Sequence, residues 1–393
     1  MVARALPPAE YATFGAFWAL AMVLGFGAFL PLEQELARRF PQTADRRALL
    51  RGAAGSAGVL TAVALVVLLL GTPVVLRSFD GHVSSLLALV ALCVVSAGQF
   101  LVRGTLIGTD RLVRHAGLMV LDAVLRLGLA VAIFVAGGAD SAAFCWALVA
   151  AIALAHLPQL PAVWRRAVAG TPPAIPSDDE RVTTRRVTAS CLPLLLGSVC
   201  AQLLQSGLPV LVVAGAPESA EAAAGAFVAA FTLVKAPLAM VVPLQSAVVP
   251  TLTRLMAAGR RHEVMVLLAK GGTALVALIV AVVPVALWLG PPTITLVFGD
   301  DYAVGGVDLA LMAAGVLAHV GLVVVTQVHV ARGRQRVVAL SWASALAAAG
   351  VAYLLLPGPV LGAAVGFLAG SVAGALVSAA ALLTSRRPER SLP

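Results

Sequence analysis

No charged residue interrupts Tyr11–Leu32, Gly52–Leu76, Gly81–Val102, Ser141–Trp164, Val187–Pro217, Gly271–Gly299 or Leu309–Ala331. A helix needs roughly 20 such residues to cross about 30 Å of hydrocarbon, and every one of these runs is long enough. Val337–Ser385 is about two spans long and is broken by Leu356-Pro357-Gly358-Pro359, which predicts a helical hairpin. Two further spans carry charges: Ala116–Val135 holds Asp122 and Arg126, and Ala222–Pro250 holds Lys235. The expectation is an all-α polytopic membrane protein with about eleven spans. Long helices alternating with short loops argue against a β-barrel, whose strands are about ten residues of alternating polarity. Composition agrees, since 61% hydrophobic and 11% charged residues leave a 393-residue chain more apolar surface than water tolerates.

The net charge of +9 does not point to nucleic acid, because the arginines gather in alternate loops. Arg38, Arg39, Arg46, Arg47 and Arg51 form the first group, Arg103, Arg111 and Arg114 the second, and Arg165, Arg166, Arg181, Arg185 and Arg186 the third. Arg254, Arg260 and Arg261, then Arg332, Arg334 and Arg336, then Arg386, Arg387 and Arg390 complete the series. The intervening loops are short and mostly acidic, with Asp80, Asp140, Glu218, Glu221, Asp300 and Asp301. This positive-inside pattern makes the arginine-rich loops and the C-terminus cytoplasmic, and an odd number of spans then puts the N-terminus outside. Cys93, Cys145, Cys191 and Cys200 all fall in apolar spans, with neither metal spacing nor a disulfide framework. The first ten residues do not have the form of a cleavable signal peptide. No glycine-rich strand–helix loop marks a nucleotide site, so ATP-driven transport by this chain alone is not expected, and no cofactor is expected. Arginine in place of lysine, with abundant alanine, suggests a GC-rich bacterial genome and hence a bacterial cytoplasmic membrane.

The two halves echo each other. Gly15-Ala16-Phe17 opens a span ending at Pro31-Leu32-Glu33-Gln34, and Gly225-Ala226-Phe227 opens one ending at Pro243-Leu244-Gln245. Gly108-Thr109-Asp110-Arg111 and Gly333-Arg334-Gln335-Arg336 each join two spans across an arginine-rich loop. Together these matches predict a duplicated bundle. The second half has a span, Val187–Gly215, before its Gly-Ala-Phe helix, where the first half has only fourteen residues. The expectation is therefore two six-helix lobes with the first helix missing, through a misassigned start or a truncated gene. The lobes are placed at 1–164 and 187–385, joined by a basic linker at 165–186 and followed by a cytoplasmic tail at 386–393.

Glu10-Tyr11-Ala12-Thr13-Phe14 before an apolar helix resembles the Leu-Gly-Pro-x-Glu-Tyr-Gly opening of the second helix in polysaccharide flippases. Phe29-Leu30-Pro31-Leu32-Glu33-Gln34-Glu35 resembles a helix end found in bacterial polysaccharide-biosynthesis members, and Phe298-Gly299-Asp300-Asp301-Tyr302 is similar to a Phe-Gly-x-x-Tyr/Phe outer loop. The family is the multidrug/oligosaccharidyl-lipid/polysaccharide (MOP) exporter superfamily, in its lipid-linked oligosaccharide flippase branch. The resemblance implies helices equivalent to 2–6 and 7–12 of the family, in a V-shaped pair of lobes around a central cavity. It also implies a lipid-linked sugar substrate moved across the cytoplasmic membrane by alternating access. Membrane lipids and the glycosyltransferases or polymerase of a polysaccharide pathway are the implied partners. Ala12 departs from the family's glycine, and the absent first helix lines the cavity elsewhere in the family.

An ion in hydrocarbon costs at least about 2.5–3.5 kcal/mol on insertion scales, so each one needs a reason. Lys235, near the middle of its span and followed by Pro237, is the candidate cation for a pyrophosphate or acidic sugar; a snorkelling or carboxylate-paired lysine is the alternative. Asp122 and Arg126 lie one helical turn apart, acid first, which favours a structural pair over a substrate-binding Arg126 held by Asp122. Glu33, Gln34 and Glu35 either gate a cavity mouth or pair with Arg38 and Arg39. Gln202, Gln205 and Gln245 read as hydrogen-bonding contacts between helices or as cavity lining. His319, Gln327 and His329 share a helix and read as packing residues, since Asp308 lies too far along it to complete a proton relay.

A cation-coupled multidrug exporter of the same superfamily is the alternative function. It would need a membrane-embedded carboxylate, yet Asp122 is shadowed by Arg126. A membrane enzyme is disfavoured by outer loops of about a dozen residues or fewer. A degenerate, non-transporting scaffold is the remaining reading.

Overall fold

The computed structural model describes residues 2–40, 43, 45–137, 140–169, 183–240, 260–332 and 334–384. Every regular element among them is helical. Eleven of the described helices are long and apolar enough to cross a membrane, as expected. The first five are α1 (Pro8–Arg39), α2 (Arg46–Leu70), α3 (Val83–Gly108), α4 (Leu112–Ala136) and α5 (Ser141–Ala169). Next, α6 runs from Thr184–Gln202 through a π segment, Leu203–Gly207, to Leu208–Gly215. The last five are α7 (Glu221–Val234), α8 (Arg261–Phe298), α9 (Gly306–Ala331), α10 (Gln335–Leu355) and α11 (Pro359–Thr384).

Several helices outrun the charge-free stretches that predict them. Arg46, Arg47 and Arg51 lie on the first turns of α2, Arg103 lies inside α3, and α8 starts ten residues before Gly271. A helix keeps its backbone bonds beyond the hydrocarbon, where charged side chains are welcome, so charge-free length underestimates helix length. Two loop acids serve as caps: Asp45 Oδ1 accepts from the Ala48 amide at 2.8 Å and Asp140 Oδ1 from the Ala143 amide at 2.7 Å. The predicted hairpin is present, with Gly358 at φ +81 between α10 and α11. The expected span over 222–250 is present as far as Met240, and 241–250 lie outside the described residues. Its helix α7 stops at Val234, Lys235 sits in a turn, and a 3-10 segment, Ala236–Met240, follows. Pro237 supplies the reason, having no amide to donate and a ring that crowds the carbonyl four residues back.

The chain divides into two compact units, Met1–Ala226 and Phe227–Pro393, with the boundary inside α7. In the first, Phe29, Leu32, Leu36 and Phe40 of α1 pack with Leu49 and Ala53 of α2, Phe100 of α3, and Val187 and Cys191 of α6. Thus α6, the opening helix of the expected second lobe, shares its core with the first unit; the lobes at 1–164 and 187–385 stay a proposal about descent. Gly104 and Gly108 let the backbones of α3 and α1 meet. A Cβ on Gly104 would stand 2.9 Å from Glu33 Cα, and one on Gly108 would stand 2.7 Å from Phe40 Cβ.

In the second unit, Gly362, Gly366, Gly370, Gly374 and Ser378 form a buried stripe along α11, one residue per turn. At Gly374 a Cβ would lie 2.7 Å from Ala345 Cβ and 2.9 Å from the Ser341 carbonyl oxygen, so α10 and α11 are in near-backbone contact. Phe231, Phe367, His319 and Trp342 make a continuous row of ring contacts, edge-on, stacked and tilted in turn, with neighbouring centroids 5.2–5.4 Å apart. Most of α8 is exposed and apolar, as a lipid-facing helix should be.

Candidate functional site

The first unit carries its charges inward. The close α1–α3 approach at Gly104 brings Arg103 to Glu33, seventy residues away in sequence, with Nε 2.7 Å from Oε2. That contact is bent away from hydrogen-bond geometry, and the hydrogen bond proper runs from Arg103 Nη2 to Glu33 Oε1 at 3.3 Å. Both residues are buried, and the Arg103 guanidinium also lies 4.9 Å above the Phe100 ring. Removing one member of such a pair strands a charge in a low-dielectric interior, which costs about 3–5 kcal/mol.

The second pair lies on α4. Arg126 holds Asp122 through Nη2–Oδ2 at 2.5 Å and Nε–Oδ1 at 3.0 Å, a two-pronged grip. The residues of α4 are exposed or half-buried apart from Leu118 and Asp122, which are buried. The carboxylate is therefore turned into the unit while Arg126 is half-buried.

Both pairs meet one cavity of about 240 Å3, whose wall includes Gly25, Ser96, Gln99, Arg103, Asp122 and Arg126. Glu33 is not on the wall. The lining presents the Arg103 and Arg126 guanidiniums and the Asp122 carboxylate, with Glu33 paired to Arg103 just behind the wall. The α1 side of the wall is irregular, because Ala21–Gly27 is π-helical and Pro31 follows. A wider turn frees backbone from the usual ladder and is frequent at functional sites. Gly25 leaves room for the wall, since a Cβ there would sit 3.0 Å from Ser96 Oγ.

A third ionic group ties α1 to α6. Glu35 is buried, accepts from Arg38 Nη2 at 2.8 Å, pairs with Arg39, and accepts from Ser190 Oγ at 2.6 Å. Arg39 also donates to Ser190 Oγ at 3.2 Å.

Of the expected residues, then, Asp122 and Arg126 come together, and Glu33 joins them through Arg103. Glu35 takes Arg38 and Arg39, whereas Glu33 does not. Gln34 is exposed. Gln202 packs beside Gly27, where a Cβ would lie 3.1 Å from Gln202 Cγ, and Gln205 belongs to the π segment of α6. Lys235 lies in the second unit with its ammonium 5.0 Å from the Phe231 ring centroid, at the end of the row of rings. Gln245 falls outside the described residues. His319 and His329 are buried packing residues: His319 stacks on Phe367, and His329 Nε2 donates to the Ser378 carbonyl at 2.9 Å.

Sequence reasoning assigned Arg103 to a loop and passed over Gln99, Ser96 and Ser190. The one available signal was Gln99 and Arg103, four apart in an otherwise apolar helix.

No protein-family model matches the chain. Among proteins, the uncharacterized protein Rv1510 of Mycobacterium tuberculosis is 30% identical over 405 residues, covering 99% of this chain and 88% of its own length. The chain belongs to the Rv1510 family. A further uncharacterized protein of M. tuberculosis, Rv3630, is 28% identical over 381 residues, covering 91% of this chain and 81% of its own length. Among solved structures, an inward-facing multidrug resistance MATE family transporter of the MOP superfamily superposes with a TM-score of 0.71 at 14% identity, covering 98% of this chain and 93% of its own. A point mutant of the Vibrio cholerae MATE transporter VcmN reaches 0.58 at 14% identity, covering 98% of this chain and 87% of its own. A Pyrococcus furiosus transporter of the MOP superfamily, for which reversed polarity of the binding pocket suggests a different function, reaches 0.50 at 14% identity, covering 98% of this chain and 96% of its own. This member of the Rv1510 family is thus a multi-pass membrane protein with the fold of MOP-superfamily MATE transporters. These structural neighbours are transporters rather than enzymes.

Proposed function

We propose that this protein moves an anionic amphiphile, a lipid-linked sugar intermediate, from one leaflet to the other by alternating access. One observation carries the reading. Two guanidiniums, Arg103 and Arg126, line a cavity inside the membrane-embedded part of the first unit. Guanidiniums within a spanning bundle are expensive even when each is paired with a carboxylate, as these are, and such groups mark the path or the binding site of a charged substrate. A pyrophosphate group suits planar, permanently charged guanidiniums, which bind phosphate oxygens two at a time. The arginine-rich ends of the helices are taken as cytoplasmic, so loading occurs from the leaflet where such lipids are assembled. The bacterial cytoplasmic membrane, and glycosyltransferases or a polymerase acting before and after, belong to the same proposal.

The test uses the full chain in proteoliposomes with a fluorescent, short-chain polyprenyl-pyrophosphate sugar, quenched from outside by dithionite. The expected result is protein-dependent exposure of the probe that Arg126→Gln reduces. Equal rates for Arg126→Gln and the unaltered chain, or for protein-free vesicles, would overturn the reading.

The multidrug alternative draws on the MATE neighbours and on buried Asp122, which is a carboxylate inside a transporter fold. Cells expressing the chain would then gain resistance to cationic dyes, and Asp122→Asn would abolish it.

A further inference from the structure

A second cavity, of about 340 Å3, lies at the α3–α4 connection and shares no lining residue with the first. Its wall is half polar and half apolar. Thr109, Arg111, Arg114 and Gln159 form one part, and Leu118 with Val163 belongs to the other. Arg111 and Arg114 are idle: the ion pairs among the described residues engage Arg38, Arg39, Arg103, Arg126 and Arg260, and not these two. The first turn of α4, which begins beside Arg111, has no side-chain cap. Its free amides add partial positive charge to that of the two guanidiniums.

Position narrows the ligand. The cavity sits where one apolar span ends at Gly108 and the next begins at Leu112, which is the edge of the hydrocarbon. Its far wall is the segment Leu160–Ala169, which buries Val163 and Ala167 and carries the half-buried Trp164. Tryptophan at that depth is an interfacial anchor.

We propose that this cavity holds the phosphate headgroup of an anionic membrane phospholipid, with the glycerol and first methylenes against Leu118 and Val163. A soluble phosphate would engage the arginines but leave the apolar wall in water. A zwitterionic lipid would cover the wall but leave the two cations uncompensated. The other loops at this end of the bundle are also rich in arginine, and basic pockets on that side of a membrane are where acidic lipids gather. The inference stands apart from the transport reading, since it uses neither Arg103 nor Arg126.

The full chain is purified in mild detergent, titrated with phosphatidylglycerol or phosphatidylcholine, and weighed by native mass spectrometry for retained lipid. The unaltered chain retains phosphatidylglycerol preferentially, and millimolar inorganic phosphate does not displace it. The double variant Arg111→Gln/Arg114→Gln weakens retention by about tenfold or more, two interfacial cations having been removed. Gly117→Phe tests the same site without changing charge. Gly117 lines the cavity and a Cβ there meets nothing within 4 Å, so a phenylalanine is placed without a clash at the mouth, and retention falls several-fold while the helix keeps its fold. Arg77→Gln, an exposed arginine away from this cavity, leaves retention unchanged. The proposal is overturned if both cavity variants retain lipid normally, if Arg77→Gln loses as much as they do, or if phosphatidylcholine binds equally. Displacement by inorganic phosphate would do the same, by making this a small-anion site.

Discussion

The two units solve the same problem, packing helices in lipid, by different chemistry. In Met1–Ala226 the buried side chains include Glu33, Glu35, Arg103 and Asp122, each tied by ion pairs to a neighbour. Among the described residues of Phe227–Pro393, the buried polar groups are serines, a threonine and two histidines, and no carboxylate or guanidinium is among them. That unit closes instead on a stripe of glycines and a row of packed rings. The contrast is one of chemistry: the first unit holds paired charges inside, and the second closes on shape, with its half-buried Lys235 set against the Phe231 ring.

Breaking the Glu33–Arg103 pair sharpens the contrast most. Arg103→Met should destabilise the chain by about 3–5 kcal/mol, whereas Glu33→Leu/Arg103→Met should recover most of that loss, measured by equilibrium unfolding in detergent. If the single variant costs no more than the double, the charges are not coupled and the comparison fails. In the second unit the largest effect should come from shape. Gly374→Leu forces a side chain into the α10 backbone and should cost about 1–3 kcal/mol in the same assay, a penalty that no change of pH or salt relieves. Ser190→Ala removes a hydroxyl donor to buried Glu35 and should cost about 1–2 kcal/mol, more than the removal of any exposed serine. Gln34→Ala, on an exposed position within the same charged stretch, should stay within about 0.5 kcal/mol of the unaltered chain. A large loss there would mean that the charged face of α1 extends further than its contacts indicate.

The spans were legible because hydrocarbon imposes a length and forbids charge, and both are one-dimensional properties. The hairpin at Pro357–Pro359 and the Asp122–Arg126 pair were legible for the same reason, being local. Arg103 was not. It stands at the end of an apolar run, near Arg111 and Arg114, and only the approach of α1 across Gly104 turns it from a loop cation into a buried partner. The change from α-helix to 3-10 turns at Lys235 was half legible, since Pro237 was visible but a kink and a change of winding look alike in sequence. The π segments at Ala21–Gly27 and Leu203–Gly207 were invisible, because nothing in residue type separates a five-residue from a four-residue hydrogen-bond step.

The widened turn at Ala21–Gly27 has a mechanical corollary. It holds slack of about one residue, and successive residues on an ordinary helix are set about 100° apart. Were that stretch to tighten to regular winding, everything toward Arg39 would screw round by that step, swinging the Glu33 carboxylate off its guanidinium and uncoupling the cavity wall from the Glu35–Ser190 tie at one stroke. A helix wound this way is a ratchet with one tooth.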